Sequence, residues 1–153
     1  MKSLLRSKLL TRIAWVIFLS YGVFMVYLLF FGFSRSSRTE RMYNLVPFKT
    51  IWSYIDHFRY FNFDIWIINL FGNVAAFVPF GFLIPWLFPF YARLSAIVKL
   101  FVAALLVVES MQFIFKVGSF DIDDILLNVL GGLLGFALYV GMIRCKTGSS
   151  RIH

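Results

Sequence analysis

Cysteine, histidine and acidic residues are all scarce in this sequence. The single cysteine, Cys145, excludes an intrachain disulfide and a cysteine-based zinc cluster. With only two histidines, His57 and His153, a multi-histidine metal site within one chain is not expected. No phosphate-binding motif and no nucleophile–base pair is visible either. The sequence therefore predicts no metal and no cofactor, and it favours a non-enzymatic function.

Charged residues make up only 14% of the 153 residues, whereas 61% are hydrophobic and 20% are aromatic. A typical soluble domain is about 45–50% apolar and about 25% charged. The core of a small soluble domain cannot bury this excess of apolar side chains, and aromatic rings suit the headgroup region of a bilayer. The composition thus predicts a single integral membrane domain.

Four long apolar segments run through the chain, at 13–33, 65–88, 96–115 and 125–143. Each reaches about the ~20 residues that a helix needs to span a bilayer. The first follows a basic stretch, but it is too long for a signal peptide and no cleavage site follows it, so we expect it to be retained. The predicted fold class is all-α, a polytopic membrane protein of four transmembrane helices with an interfacial outer loop.

The distribution of lysine and arginine predicts the orientation in the membrane. A cytoplasmic amino terminus places nine of the 15 cations inside: Lys2, Arg6, Lys8, Arg12, Arg93, Lys99, Arg144, Lys146 and Arg151. The six outside are Arg35, Arg38, Arg41, Lys49, Arg59 and Lys116. We therefore predict a basic cytoplasmic amino terminus at 1–12 and a cytoplasmic tail at 144–153. The net charge of +8 is expected to set this topology, with anionic lipid headgroups rather than nucleic acid as the alternative partner.

The outer loop that this topology creates combines aromatic and basic residues. Its aromatic residues are Tyr43, Phe48, Trp52, Tyr54, Phe58, Tyr60, Phe61 and Phe63. Such a loop fits a segment lying in the membrane interface, with a short helix after Pro47, or an aromatic belt that anchors helix ends. Both interpretations remain open at this point.

Polar side chains inside the apolar segments need an explanation, because an ionisable group there costs about 2.5 kcal/mol or more. They recur at helical spacing, so each of the last three helices carries a polar stripe. Polar groups facing lipid would lack partners, and the stripes should therefore face one another around an outward pocket. The candidate binding residues are Asn73, Glu109, Gln112, Asp121, Asp124 and Asn128. No catalytic residue is assigned.

Helical rise predicts two polar layers. Asn73, Glu109 and Asn128 lie roughly 10–12 Å below the outer boundary, and Asn69, Gln112 and Asp124 lie roughly 4–6 Å below it. The first helix is expected to contribute little to them.

Simpler roles stay open for several of these residues. Asp121 and Asp124 are placed to cap a helix, and Asn69 is placed to bond between helices. Gly131, Gly132 and Gly135 are expected to permit close packing. Asp123 lies off the stripe and is expected to be solvated.

Five motifs in series resemble the VanZ-like family of membrane proteins. They are Asn44-Leu-Val-Pro-Phe48, Gly72-Asn-Val-Ala-Ala-Phe-Val-Pro-Phe-Gly-Phe82, Glu109-Ser-Met-Gln-Phe-Ile-Phe115, Gly118-Ser-Phe-Asp-Ile-Asp-Asp124 and Asn128-Val-Leu-Gly-Gly-Leu-Leu-Gly135. The resemblance suggests a VanZ-like four-helix domain over 13–143. It implies a protein of the bacterial cytoplasmic membrane, in a family whose best-known member lowers susceptibility to teicoplanin, a lipoglycopeptide that acts on cell-wall precursors at the outer surface.

Three functions are consistent with these observations. The first is an envelope-modulating or binding protein whose outward pocket takes a lipid-linked cell-wall precursor or an amphiphilic lipoglycopeptide. The second is a membrane-embedded enzyme acting on a lipid-linked precursor, with Glu109 or Asp121 as general acid or base. The third is a small transporter or flippase subunit that uses Glu109 as a proton site and requires an oligomer. We favour the first; the sequence does not determine the oligomeric state.

Overall fold

The protein is described from a computed structural model that covers residues 8–32, 40–56 and 67–149. Several sequence predictions fall outside these residues. They concern the start of the amino terminus (1–7), the end of the polar tail (150–153), His57, Ile65 and the aromatic residues Phe58, Tyr60, Phe61 and Phe63.

Helices account for most of the described chain. We number them α1 (Lys8–Phe30), α2 (Lys49–Asp56), α3 (Asn73–Leu87), α4 (Leu94–Ile114) and α5 (Ile122–Ser149). A π-helical turn, Ile68–Gly72, leads directly into α3, and a 3₁₀ turn, Pro89–Tyr91, follows it. Two short strands, β1 (Tyr43–Asn44) and β2 (Phe120–Asp121), complete the set.

Four helices are long and apolar enough to cross a membrane: Lys8–Phe30, Ile68–Leu87, Leu94–Ile114 and Ile122–Arg144. Large apolar side chains remain exposed along them, such as Val23 at 72% and Leu138 at 60% exposure. A soluble protein would bury such a surface, whereas lipid covers it in a membrane. The predicted all-α class with four membrane-length helices is confirmed.

The tightest packing joins α3 to α5 through glycine. A Cβ atom added to Gly131 would collide with the carbonyl oxygen of Val74, and one added to Gly135 would collide with that of Val78. Gly81 meets the backbone of Gly132 in the same way. The predicted close packing at these glycines is confirmed, and it brings the polar stripe of α5 against that of α3.

The other helices pack on this pair through larger side chains. On α1, the Tyr21 hydroxyl donates a hydrogen bond of 2.9 Å to the carbonyl oxygen of Ala76 in α3. On α4, Ile97, Phe101 and Leu105 are 3% exposed or less and form much of the core. The Phe101 ring fills the space beside Gly132, where a Cβ atom would meet it at 2.6 Å. Helix α5 therefore lies between α3 and α4.

The outer loop is attached to the turn between α4 and α5. Strands β1 and β2 pair in parallel, with Tyr43 opposite Phe120 and Asn44 opposite Asp121. The Arg41 guanidinium lies 5.7 Å from the centre of the Phe113 ring on α4, a cation–π distance. The short helix predicted after Pro47 is confirmed as α2. Helix α2 lies against the beginning of α5.

Candidate functional site: a buried polar cluster

Seven polar side chains gather where α3, α4 and α5 meet the outer loop. We call them the polar cluster: Asn73, Glu109, Gln112, Asp121, Asp123, Asp124 and Asn128. Five of them are almost completely buried, with exposures of 3% for Glu109, 4% for Gln112, 6% for Asp121, 0% for Asp123 and 4% for Asn128. Burying so many polar groups is costly unless they are hydrogen-bonded, so their partners define the site.

Asp121 is the centre of the cluster. Its backbone N–H donates a hydrogen bond of 3.1 Å to the Glu109 carboxylate, which joins β2 to α4. Its own carboxylate accepts bonds from the Thr50 hydroxyl at 2.7 Å and from the Asn44 side-chain amide at 3.1 Å. The Asp123 N–H donates to it as well, at 2.9 Å. Glu109 and Asp121, both candidate binding residues, are therefore joined directly, although Glu109 was predicted to lie well below Asp121. Two outer-loop side chains bond to Asp121 as well.

Asp123 caps α2. Its carboxylate accepts hydrogen bonds from the backbone N–H groups of Phe48 (2.5 Å), Thr50 (2.7 Å) and Ile51 (3.1 Å). These donors lie at and just before the start of α2, where N–H groups have no partner within the helix. Phe48 has a φ of 65°, a conformation that is strained for a bulky residue, and the bond to Asp123 holds it. The prediction that Asp123 is solvated was wrong, because the residue turns away from the polar stripe toward α2 rather than toward water.

Asn73 and Asp124 form a direct pair between α3 and α5. The Asn73 side-chain amide donates a hydrogen bond of 2.7 Å to the Asp124 carboxylate. This bond joins a residue of the predicted deeper layer to one of the shallower layer. The two layers are therefore connected rather than separate. Asn69 lies in the π-helical turn, one turn before Asn73.

Gln112 connects the cluster to α1. Its side-chain amide donates a hydrogen bond of 2.8 Å to the backbone carbonyl oxygen of Leu29. The first helix was expected to contribute little to the polar cluster, and this backbone atom is a small contribution of that kind. The side-chain pattern of α1 gives no sign of this bond.

Asn128 ends the cluster on the side of the membrane interior. It lies one helical turn beyond Asp124 on the same face of α5. Its side-chain oxygen is buried and accepts no hydrogen bond from the described part of the chain. Leaving a buried acceptor without a donor costs about 1–3 kcal/mol, so this atom is a candidate contact for a ligand or an ordered water.

The electrostatic character of the cluster is negative, and it extends to α2. Burial raises the pKa of the Tyr54 phenol above its ordinary value of 10.0, and the charges of Asp124 and Asp121 raise this pKa further. Within residues 8–32, 40–56 and 67–149, no group of three or more His, Cys, Asp or Glu side chains is arranged to hold a metal ion. Its four acidic side chains make the cluster rich in hydrogen-bond acceptors.

Sequence reasoning missed two contributors to this site, Asn44 and Thr50. Both lie in the outer loop, more than 70 residues before Asp121 in the chain. Asn44 belongs to a motif of the family resemblance, and that motif was the signal that could have identified it. Thr50 lies just outside the motif and carries no such signal.

Known proteins are similar to this chain over much of its length. The sequence profile of the VanZ/LLP1 family matches residues 18–144, which include all four membrane-length helices in large part and the whole polar cluster. Protein VanZ of Enterococcus faecium is 34% identical over 100 residues, which are 65% of this chain and 53% of that protein. The chain thus spans about half the length of this curated relative. No solved structure matches the chain at a significant level. The chain belongs to the VanZ/LLP1 family.

Proposed function

We propose that this chain is an envelope protein of the bacterial cytoplasmic membrane that lowers susceptibility to glycopeptide antibiotics of the teicoplanin type. In this proposal both termini lie in the cytoplasm and the polar cluster lies at the outer side. The cluster binds the polar part of a lipid-linked cell-wall precursor or of a lipoglycopeptide. Membership of the VanZ/LLP1 family and similarity to Protein VanZ support the role in resistance.

The buried Asn128 side-chain oxygen, which accepts no hydrogen bond from the described residues, is the observation that carries the binding role. Its oxygen lies buried beside Asp124, at the inner end of a site that otherwise satisfies its polar groups through an extensive hydrogen-bond network. A ligand that donates a hydrogen bond to this oxygen would remove an unfavourable free-energy term. Selection for stability alone favours an apolar residue here, so the asparagine supports a binding function.

The chemistry of the cluster indicates which part of a ligand it would recognise. Glu109, Asp121, Asp123 and Asp124 are all carboxylates, which accept hydrogen bonds when ionised and repel anions. Sugar hydroxyls, peptide amides and ammonium groups are therefore suitable partners, whereas a pyrophosphate is not. Both lipid-linked cell-wall precursors and lipoglycopeptides carry such donors. This argument favours a binding protein over an enzyme that acts on the pyrophosphate.

The outer loop offers the apolar surface that an amphiphilic ligand also needs. Tyr43, Phe48 and Trp52 are 69%, 63% and 66% exposed, next to the polar cluster. Aromatic side chains of this kind lie at the headgroup level of a bilayer. A ligand that enters from the lipid would contact them before it reaches the carboxylates beneath α2.

Resistance measurements test the binding role. The gene is expressed in a teicoplanin-susceptible Gram-positive host, and inhibitory concentrations of teicoplanin and of vancomycin, which lacks the lipid chain, are compared. We expect the unchanged chain to raise the teicoplanin value more, and Asn128→Leu and Glu109→Gln to abolish the increase. Glu40→Gln, an exposed acid outside the cluster, is the matched control. Full resistance in both cluster variants, at equal membrane abundance, contradicts the proposal.

The lone cysteine tests the proposed orientation independently. Cys145 follows the last span, so a membrane-impermeant maleimide should label it only after the cells are lysed. In a Cys145→Ser background, Glu40→Cys in the outer loop should be labelled in intact cells. The reverse pattern shows that the polar cluster faces the cytoplasm.

A further inference from the structure

A second polar site lies at the other end of the helix bundle. A cavity of about 830 Å³ opens between α1, α3 and α5. We call this end of the bundle the terminal end, because it is formed by the start of α1, the end of α3, the start of α4 and the end of α5. Lys8, Thr11 and Arg12 line the cavity from α1, Trp86 lines it from α3 and Tyr139 lines it from α5. The proposed function uses none of these five residues.

Carboxylates are absent from the chain segments that form the terminal end. All seven acidic residues lie between Glu40 and Asp124, and none lies between residues 65 and 108. Lys8 and Arg12 therefore have no acidic neighbour in the segments around them, and both are exposed. Two cations so close together produce a positive potential that favours binding of an anion.

The lining of the cavity suits a phosphate group. A guanidinium can bind two phosphate oxygens at once, and a lysine ammonium adds a compact positive charge. The Thr11 hydroxyl, the Trp86 indole N–H and the Tyr139 hydroxyl belong to classes of group that donate hydrogen bonds. Proline, leucine, isoleucine and methionine side chains complete the wall. Charged donors thus adjoin an apolar surface within one cavity.

The size and position of the cavity favour a lipid over a free phosphate ion as its ligand. A volume of about 830 Å³ is far larger than one phosphate needs and lies in the range of sites for drug-sized molecules. Tryptophan and tyrosine concentrate at the headgroup level of membranes, where their rings face the hydrocarbon and their polar atoms face water. A cavity between helices at this level is open to lipid, and basic pockets of this kind bind anionic headgroups.

We propose that this cavity is a binding site for an anionic phospholipid, with Lys8 and Arg12 as the ligands of its phosphate. The lipid belongs to the membrane leaflet at the terminal end of the bundle. This inference does not rest on the proposed function, since it concerns other residues at the opposite end of the molecule.

The same end of the bundle supplies a matched control. Arg93 and Lys99 line a smaller cavity of about 400 Å³ that is formed within residues 90–100 alone. This smaller cavity lies along the start of α4 rather than between three helices. It therefore offers no space between helices for the acyl chains of a lipid. Removing these two charges lowers the positive charge of the terminal end as much as removing those of Lys8 and Arg12.

Native mass spectrometry of the purified full chain in dodecyl maltoside measures the binding directly. The probe is dioleoylphosphatidylglycerol, compared with zwitterionic dioleoylphosphatidylcholine. We expect the anionic lipid to bind more tightly and the double variant Lys8→Gln, Arg12→Gln to weaken it at least about tenfold. The double variant Arg93→Gln, Lys99→Gln should change its affinity less than about threefold. Equal weakening by both double variants overturns the proposal, because it shows that only overall charge matters.

Two further measurements keep the test decisive. Inorganic phosphate is added as a competitor, and displacement of the lipid at millimolar concentration shows that the site takes free phosphate instead. A photoactivatable phosphatidylglycerol analogue is also cross-linked to the unchanged protein, which avoids any variant that fails to fold. Cross-links should map to residues 8–12, 85–89 or 139–143, and cross-links found only elsewhere contradict the site.

Discussion

Asp123 accepts a hydrogen bond of 2.7 Å from the backbone N–H of Thr50, 73 residues earlier in the chain. The first turn of α5 thereby caps the first turn of α2, so that one carboxylate orders the outer loop above the polar cluster. The Thr50 hydroxyl bonds to Asp121 at 2.7 Å, which attaches the same residue to the cluster a second time. Order in the loop and order in the cluster are therefore coupled through Thr50.

Replacing Asp123 should release α2. Asp123→Ala leaves the N–H groups of Phe48, Thr50 and Ile51 without their acceptor, and we expect a loss of about 2–4 kcal/mol in the free energy of unfolding. Trypsin should then cleave after Lys49 faster than in the unchanged protein. Thermal unfolding in detergent, followed by circular dichroism, gives the stability. Glu40→Gln is the control, and an unchanged cleavage rate in Asp123→Ala contradicts the capping role.

Replacing Gly131 or Gly135 with alanine should weaken the packing of α3 against α5. Gly131→Ala and Gly135→Ala each place a methyl group against a backbone carbonyl of α3, which cannot move aside as a side chain can. We expect each to destabilise the protein by about 1–3 kcal/mol or more. Gly141→Ala is the matched control on the same helix, since nothing lies within 4 Å of its added Cβ atom. There the change should stabilise α5 by roughly 0.5–1 kcal/mol, because alanine favours helix. Equal effects at Gly131 and Gly141 would show that the contact is not tight.

The hydrogen bond from Gln112 to α1 should contribute little to the free energy of unfolding. Gln112→Leu removes the donor to the Leu29 carbonyl, and hydrogen bonds between membrane helices average about 0.6 kcal/mol. We expect a loss of roughly 0.5–1.5 kcal/mol in thermal unfolding, with no change in helix content. Ser110→Ala serves as the comparison, since the Ser110 hydroxyl donates its hydrogen bond within α4, to the Leu106 carbonyl. A loss of several kcal/mol would show that Gln112 has an additional role in the cluster.

Tyr54 should report the charge of the cluster. The pKa of Tyr54 lies above 10.0 mainly because the phenol is partly buried, and also because the charges of Asp124 and Asp121 disfavour the phenolate. The folded state therefore holds its proton more tightly than the unfolded state, and the stability that this contributes is lost as pH rises above about 10. Subtracting the ultraviolet titration curve of Tyr54→Phe from that of the unchanged chain isolates the titration of this phenol. Asp124→Asn should lower the pKa of Tyr54 but leave it above the ordinary value; an unchanged pKa would rule out the effect of Asp124.

The burial of Glu109, Gln112 and Asn128 follows from their positions in apolar segments, because a membrane helix must turn such groups toward other helices. The glycines of α5 were predictable for a similar reason, since small residues permit close approach. Both inferences need only helical periodicity and the properties of lipid. The sequence alone was sufficient for these features.

The environment of Asp123 was not predictable in this way. Helical spacing correctly places Asp123 off the polar stripe of α5. The expectation that solvent surrounds it was wrong, because the residue is fully buried. Its partners lie at the start of α2 and just before it, and the pairing of β1 with β2 helps to bring them to Asp123. Two-residue strands leave no pattern in a sequence, so this connection is visible only in three dimensions. The bond from Gln112 to Leu29 was hidden likewise, because a backbone carbonyl carries no sequence signal.

The glycine contacts between α3 and α5 have a mechanical consequence. Where two backbones touch, no layer of side chains remains that can slide or repack when the bilayer becomes thinner or thicker. Helices α3 and α5 therefore accommodate a change in bilayer thickness by tilting as one unit. Helix α1 packs on the others through side chains such as Met25 and hydrogen bonds such as that of Tyr21, so it has no backbone contact of this kind to prevent a shift. Membrane composition would thus change the angle between α1 and the α3–α5 pair.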